Sequence, residues 1–342
     1  MVHAVHVSGA CAIDNLTHSL VGALLGQAGL KKKTGLAMPA LIIGANLPDV
    51  DAACFFWLEG AEHLGFRRGI THGPPALVLL PLILAALLWG FDRWQASRGN
   101  RPEGRRPVSF KWLFLLSFIG CLTHPALDWL NVYGIRLLEP FSSQWFYGDT
   151  LFIIDVWLWA LMGFATWFSM RRERQGGEWI KPARWAIAVS LAYIGMNGLI
   201  TAKAEGQVAG AKKASAVAAE QIIASPLPVA FWNREIIEGN GYGDFFIDGD
   251  DVGAAALLPH CNLDEAAARD KEITAFLFWS RAPFVTEDPE RDGWLLRDAR
   301  FYDPLARDRF SVKLPPWSCV QVYPAYSGGG PTVVAVPEPP DD

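Results

Sequence analysis

FKWLFLLSFIGCLTHPALDWL, residues 110–130, sets a histidine, a proline and an aspartate inside a run that is otherwise apolar. Its length matches the roughly 20 residues that a helix needs to cross a bilayer. His124 and Asp128 are four apart, so on a helix they meet on one face. Pro125 has no N–H; it frees the Cys121 carbonyl and bends the helix, and such irregular backbone at membrane depth is tolerated where it lines a cavity. Alone, the pair reads equally as two metal ligands or as a histidine held by a carboxylate one turn away. Ionisable groups at membrane depth are costly and usually functional, so the segments around it decide.

Working outward, further apolar stretches run over 16–30, 36–58, 74–91, 150–169 and 184–202. With 110–130 they predict six spans, the first of them short. Arg93, Arg98, Arg101, Arg105 and Arg106 lie between the third and fourth, with Lys111 at the very start of the fourth. Arg171, Arg172, Arg174, Lys181 and Arg184 follow the fifth, and Lys31, Lys32 and Lys33 follow the first. The positive-inside rule makes these loops cytoplasmic and puts 59–73, 131–149, both termini and everything after residue 202 outside. On that map the three Thr-His pairs, Thr17-His18, Thr71-His72 and Thr123-His124, fall on the outer face together with Asp49, Asp51, Asp128, Asp149 and Asp155. A metal site would explain why they share it.

The 342-residue chain is 51% hydrophobic with 15 Trp and a mean hydropathy of +0.18, above the soluble norm. Residues 1–202 carry 17 Lys+Arg against 13 Asp+Glu, and residues 203–342 carry 13 against 22. The acidic second half offers no basic stripe to phosphates, so no direct nucleic-acid binding is expected. Cys11, Cys54, Cys121, Cys261 and Cys319 show no CxxC spacing, which removes zinc-ribbon and thioredoxin-like readings. Cys261 and Cys319 are candidates for a disulfide on the outer side.

The predicted organisation is an all-α polytopic membrane domain of about six transmembrane helices followed by a small strand-rich α+β soluble domain. Residues 1–13 read as an N-terminal extension without the basic start of a secretory signal, 14–202 as the membrane domain, and 203–225 as a connecting helix. Residues 226–335 form the soluble domain and 336–342 a disordered tail. Short β-branched or aromatic segments at Phe231–Ile237, Phe245–Ile247, Thr274–Trp279 and Val320–Tyr323 predict strands.

The candidate metal ligands are His18, Asp49, Asp51, His72, His124 and Asp128. Asp49 and Asp51 follow Pro48, where the backbone turns and a DxD can direct both carboxylates to one ion or to two; an isolated PDxD would more often be a helix-ending turn. His72 precedes Pro74 and Pro75, suited to a helix's first turn, with Thr71 as a candidate cap. His18 has the weakest independent claim, because Asp14, Asn15 and Thr17 are all credible caps beside it. Asp155 sits deeper than Asp149, which reads as a helix cap. Asp51 and Asp155 are the candidate catalytic carboxylates, and Arg67, Arg68 and Arg136 the candidate contacts for an anionic substrate. No Gly-x-Ser-x-Gly elbow, Walker loop, Rossmann fingerprint or HExxH helix is present in the sequence.

Residues Asp14-Asn-Leu-Thr-His18-Ser-Leu-Val-Gly, Gly44-Ala-Asn-Leu-Pro-Asp49-Val-Asp51, Arg68-Gly-Ile-Thr-His72, Thr123-His124-Pro-Ala-Leu-Asp128 and Tyr133-Gly-Ile-Arg136 with Pro140-Phe-Ser recur in one order. In them the chain resembles the YdjM/YfhP-type family of membrane-bound metal-dependent hydrolases, also described as LexA-binding and inner-membrane-associated. The resemblance covers roughly residues 14–170. Many members read His-Arg-Gly-x-Thr-His-Ser; here Arg67 and Gly73 occupy the first His and last Ser positions, which removes one ligand and leaves the number of metals open. The family's link to a DNA-damage repressor is not carried over. A more distant similarity to zinc-dependent phospholipase C and P1-nuclease-like enzymes points to phosphoesters.

The resemblance implies a multi-pass protein of a bacterial-type inner membrane, with the C-terminal domain on the periplasmic side. It would hold a divalent metal, zinc or alternatively manganese or iron, and hydrolyse a phosphoester or lipid-derived substrate. Membrane lipids are the expected partners, and the C-terminal domain offers room for a protein partner. The alternatives are an ion or proton transporter or channel using the same His/Asp cluster, and a scaffold with a structural metal.

Overall fold

Helices form where the apolar runs lie, with bounds set by glycine, proline and capping side chains. A computed structural model describes residues 8–214, 221–239, 245–248, 250–251, 260–288, 293–302, 310–320, 322–323 and 332–333. Most of the N-terminal extension and the predicted tail at 336–342 lie outside the described residues. The chain divides into two compact units. The first comprises Met1–Ala52, Arg68–Ile200 and Pro226–Asn233, the second Ala53–Arg67, Thr201–Ser225 and Arg234–Asp342.

The helices in chain order are α1 (Ser8–Gln27), α2 (Ala37–Gly44), α3 (Glu62–Phe66), α4 (Pro74–Ser97), α5 (Phe110–Trp129), α6 (Val156–Arg174) and α7 (Ile180–Ala214). Within the first unit α1 packs on α2 and α6, and α5 on α2 and α4. Glycine permits the closest approaches: a Cβ on Gly44 would lie 2.7 Å from the Ser117 carbonyl oxygen, and one on Gly120 2.6 Å from that of Leu41. Small residues at such crossings let helix backbones pack without bulky side chains between them. Two apolar clusters flank the crossings, one around Ala40, Leu41, Ala85 and Leu116, the other around Leu24, Leu158, Met162 and Ala186. On α4, Leu79, Ile83 and Leu87 face outward and are more than half exposed, as a lipid-facing surface would be.

The expected six spans are corrected. Among the described residues three helices are long and apolar enough to cross a membrane, Pro74–Ser97, Phe110–Trp129 and Ile180–Lys213. A fourth counts if α2 and the 3-10 helix Leu47–Phe56, bent by 52° at the break, form one broken span. The predicted first and fifth spans are not apolar enough to be counted with these, for a physical reason. α1 carries Asp14, Asn15 and His18 within its 20 residues, and α6 ends in Arg171, Arg172, Glu173 and Arg174.

The second unit holds the strands β1 (Gln221–Pro226), β2 (Arg234–Gly239), β3 (Phe245–Ile247), β4 (Asp250–Asp251), β5 (His260–Cys261), β6 (Pro283–Glu287), β7 (Trp294–Asp298), β8 (Ser311–Leu314), β9 (Cys319–Val320), β10 (Val322–Tyr323) and β11 (Thr332–Val333). They form a four-stranded sheet β1-β2-β3-β4, a three-stranded antiparallel sheet β6-β7-β8, and the pairs β5-β9 and β10-β11. Cys261 and Cys319, opposite each other in β5 and β9, are joined by a disulfide. The predicted strand over Thr274–Trp279 is instead the end of a helix, α9 (Lys271–Trp279), which follows α8 (Leu263–Arg269). Asp270 caps α9 by accepting from the N–H groups of Glu272 and Ile273. Ile273, Phe276 and Trp279 recur at helical spacing as its buried face, and that period outweighs their strand propensity. The 59–73 loop of the sequence map contributes α3, which packs on α9 in this unit.

Candidate metal centre

The break after α2 and the C-terminal half of α5 bring one histidine, His124, together with two carboxylates, Asp49 and Asp128. Gly120 lets α5 run against α2, and the interrupted helix leaves the Ala45 carbonyl free of an intrahelical partner. His124 Nδ1 lies 2.7 Å from that oxygen. A carbonyl only accepts, so Nδ1 carries the proton and the Nε2 lone pair points into the site. Asp128, one turn on, has Oδ2 3.4 Å from His124 Nε2 and 3.4 Å from His72 Nε2. His18, from α1, stacks on the His124 ring with centroids 3.7 Å apart, and its Nε2 is 3.6 Å from Asp128 Oδ1. Asp49 Oδ1 closes the other side, 3.7 Å from His124 Nε2.

These residues form two overlapping triads, His18–His124–Asp128 and Asp49–His72–His124. In each, one ligand atom per residue lies within 4.8 Å of the others. All five side chains are buried. His72 Nε2, His124 Nε2 and both Asp128 oxygens have no hydrogen-bond partner. Buried polar atoms left in that state cost free energy unless something occupies them. A donor set of three imidazoles and two carboxylates, with lone pairs converging, fits a divalent cation that accepts mixed nitrogen and oxygen ligands.

Asp51 lies outside both triads. Its Oδ2 accepts from the Arg68 N–H at 2.8 Å and from the Thr71 hydroxyl at 3.3 Å, and the Thr71 oxygen lies 3.0 Å from His72 Nδ1. The chain His72 Nδ1–H to Thr71 to Asp51 fixes the imidazole tautomer and leaves Nε2 for the site, as carboxylates behind metal-binding histidines do. Thr71 thus supports His72, and the residue at the N-cap of α4 is Gly73. Burial lowers the His72 pKa, outweighing the pull of Asp128 and Asp51, and so favours the neutral ring that a ligand must be.

Arg68, buried, aims Nη2 at Asp128 Oδ1 at 3.2 Å and donates from Nη1 to Asn131 Oδ1 at 2.9 Å. Its guanidinium lies 4.5 Å from the Tyr133 ring centroid. Arg136 pairs with Glu139 at 2.9 Å. Arg67 belongs to the second unit, over the ring of Phe55. Asp155 is the N-cap of α6, accepting from Leu158 N–H at 2.9 Å, and its other oxygen accepts from the Tyr193 hydroxyl at 2.9 Å. Asp149 stands six residues earlier at a positive φ of 45°, so the cap expected of it is supplied by Asp155. Asp155, His18, Asp128 and Asn131 line a cavity of about 20 Å³, enough for one water. Asn131 had not been singled out in the sequence; its place three residues after Asp128 is the only signal that could have found it.

A family profile described as YdjM inner membrane protein matches residues 13–204, more than half of the chain and all of the cluster. The uncharacterized protein YfhP of Bacillus subtilis (strain 168) is 28% identical over 141 residues, 39% of this chain and 39% of that protein. The chain therefore matches well under half the length of this curated relative. No solved structure matches.

Proposed function

The chain belongs to the YdjM inner membrane protein family, and we propose that it is a membrane-bound, metal-dependent hydrolase acting on a phosphoester presented at the membrane interface. The observation that carries this reading is the set of buried histidine and aspartate atoms without hydrogen-bond partners around His124. A bound divalent metal, zinc or alternatively manganese or iron, would lower the pKa of water, polarise the phosphoester and stabilise transition-state charge. His18, His72, His124, Asp49 and Asp128 would hold it, and Arg68 balances Asp128. Asp155, in the cavity beside His18 and Asp128, takes the proton as the water oxygen bonds to phosphorus. The phosphorus–oxygen bond to the leaving group would break, and the departing oxygen would receive back from Asp155 the proton that it took from the water. Asp51 acts through Thr71 as a positioning residue.

Near-complete burial of the ligands is a property that a purely structural metal would share; the water-sized cavity against Asp128 and Asp155 favours catalysis over it. The test is metal content of the detergent-purified chain after loading with zinc, manganese or iron, followed by a phosphoester and carboxylic-ester panel. Stoichiometric metal and metal-dependent release of alcohol are expected. Less than stoichiometric metal with all three ions overturns the site, and metal flux in proteoliposomes without hydrolysis would make the protein a transporter.

For orientation, we place the second unit outside, in the periplasm of a bacterial-type inner membrane; with the 93–106 loop in the cytoplasm this requires α6 to cross between α5 and α7, its Arg171, Arg172 and Arg174 at the cytoplasmic end. The Cys261–Cys319 disulfide suits an oxidising compartment, and the arginine-rich 93–106 loop suits the cytoplasm. An impermeant maleimide should label Lys313→Cys in intact cells and reach Glu103→Cys only after permeabilisation. Cys54 and Cys121 are buried and should stay silent. The reverse pattern would invert the protein.

A further inference from the structure

Beside the small polar cavity lies a second, apolar one of about 290 Å³, walled by α1, α5, α6 and α7. Leu127 and Leu158 belong to the walls of both. The helices set the order of the two cavities. On α1, His18, Val21 and Leu25 recur at i, i+3 and i+7, one stripe that passes from the polar cavity into the apolar one. On α6, Asp155, Leu158 and Met162 repeat that spacing with the same polarity. On α5 the sequence direction is reversed: Asp128 and Asn131 line the polar cavity, Thr123 and Ala126 the apolar one. Three helices therefore present the same gradient, ionisable at one end and hydrocarbon at the other.

The wall of this cavity is apolar but for two hydroxyl residues. They are Thr123, whose hydroxyl donates to the Gly120 carbonyl at 2.7 Å, and Ser190, a single buried hydroxyl without a hydrogen-bond partner, which carries no charge to bind an ionic head group. At its mouth Ala126 is exposed and Leu191 is 63% exposed, so the cavity opens where hydrocarbon would lie around a membrane domain. Its volume is at the lower end of the roughly 300–1,000 Å³ typical of ligand pockets.

We propose that this apolar cavity binds the hydrocarbon chain of a single-chain amphiphile, entering from the bilayer between Ala126 and Leu191 and delivering its polar group to the His18–Asp128–Asp155 end. As an assignment of substrate class it rests on the hydrolase reading; as a binding site it stands on the shared walls. The chain supplies apolar burial, and the polar group meets the ionisable side chains of His18, Asp128 and Asp155.

The test uses the full chain in nanodiscs with two photoreactive probes, an alkyl phosphate and a fatty acid of equal length, each bearing a diazirine at the chain end. Adducts mapped by mass spectrometry are expected on 21–25, 123–130, 158–162 and 187–194. Stronger labelling by the phosphate than by the carboxylate would extend the phosphoester assignment, and the converse would replace it with a carboxylic ester. Ala126→Phe and, separately, Leu191→Trp narrow the mouth without touching a ligand of the metal centre. Excluding even two methylenes, at about fourfold each, should cut cavity labelling by at least roughly tenfold, with metal content unchanged. Labelling spread equally over outward residues of α4 such as Leu79 and Leu87, or indifferent to both substitutions, means annular lipid only and overturns the proposal. Metal content is read on the same samples. A protein that binds no metal yet labels in the cavity would refute the hydrolase reading and leave the chain site standing.

Discussion

Asp128 in the first unit and Asp298 in the second are each 1% exposed, and each faces an arginine. Their surroundings are otherwise opposite. Asp298 is saturated: Oδ2 accepts from Ser280 Oγ at 2.5 Å, Arg281 N–H at 3.1 Å and Arg300 Nη2 at 2.7 Å, and Oδ1 from Arg300 N–H at 2.9 Å and Nε at 2.8 Å. Asp128 has one arginine at 3.2 Å and three imidazoles at 3.4–3.6 Å, and neither oxygen has a hydrogen-bond partner. A carboxylate whose every lone pair is used holds a structure together. One kept buried with its lone pairs unused is kept for an occupant.

The largest expected effect breaks the comparison on the Asp128 side. Asp128→Asn and His124→Ala should each abolish stoichiometric metal and metal-dependent hydrolysis, measured by elemental analysis and turnover. Asp128→Asn keeps the shape and leaves Arg68 a neutral acceptor, which limits the several kcal/mol that an uncompensated buried charge costs. Retention of full metal by both variants would make the cluster a structural network like that of Asp298.

On the Asp298 side the loss should be in stability alone. Asp298→Ala leaves Arg300 buried without its counter-charge, which costs about 3–5 kcal/mol when such pairs are broken, and the metal content should not change. Burial alone would raise the Asp298 pKa, but Arg300, Ser280 and the Arg300 N–H together hold it below the ordinary carboxylate range. A folded pKa below the unfolded value of about 3.9 contributes stability that is complete above that value and fades as pH falls through the folded pKa. Denaturant midpoints of the wild type should therefore drop below about pH 4, and those of Asp298→Ala should lack that component.

A smaller effect sharpens the contrast at its support. Thr71→Val removes the hydroxyl between His72 Nδ1 and Asp51 with little change in volume. Metal affinity should fall by roughly 10–100-fold, as for other outer partners of ligating histidines, with thermal stability of the metal-free protein barely moved. Equal affinity in competition titrations would mean that His72 is held by packing alone.

How much of this was legible beforehand follows the cost of burial. An ionisable group in an apolar run is expensive wherever it sits, so His72, His124, Asp49 and Asp128 stood out, and all four fall within the two triads. Which atoms are used, and by what, depends on partners far away in sequence. Ala45, 79 residues before His124, supplies the carbonyl that sets its tautomer. Asp51 and Arg68 carry the right charges for a ligand and a substrate contact, yet Asp51 accepts from the Arg68 N–H and the Thr71 hydroxyl, and the Arg68 side chain reaches Asn131 and Asp128. Apolar composition does not give span number, because it measures burial without saying whether protein or lipid does the burying: α1 and α6 bury Leu24, Leu158 and Met162 against each other and α7. The α9 helix was missed because aromatic and β-branched residues suggested a strand, although Asp270 before them marked a helix start.

The smallest structural effect belongs to Asp155, where the two kinds of carboxylate meet. It caps α6 through Leu158 and accepts from Tyr193, as a saturated group does, and it also lines the water-sized cavity with His18 and Asp128. Asparagine caps helices about as well as aspartate, and its amide oxygen still accepts from Leu158 or Tyr193, so Asp155→Asn should change stability by less than about 0.5 kcal/mol and leave metal content intact. It cannot take a proton. If Asp155 is the base, turnover should fall by about 10²–10⁴-fold, the contribution of general-base catalysis, with the substrate's apparent binding unaltered. Unchanged turnover would confine Asp155 to capping and pass the proton-accepting role to Asp51, the other carboxylate beside the cluster.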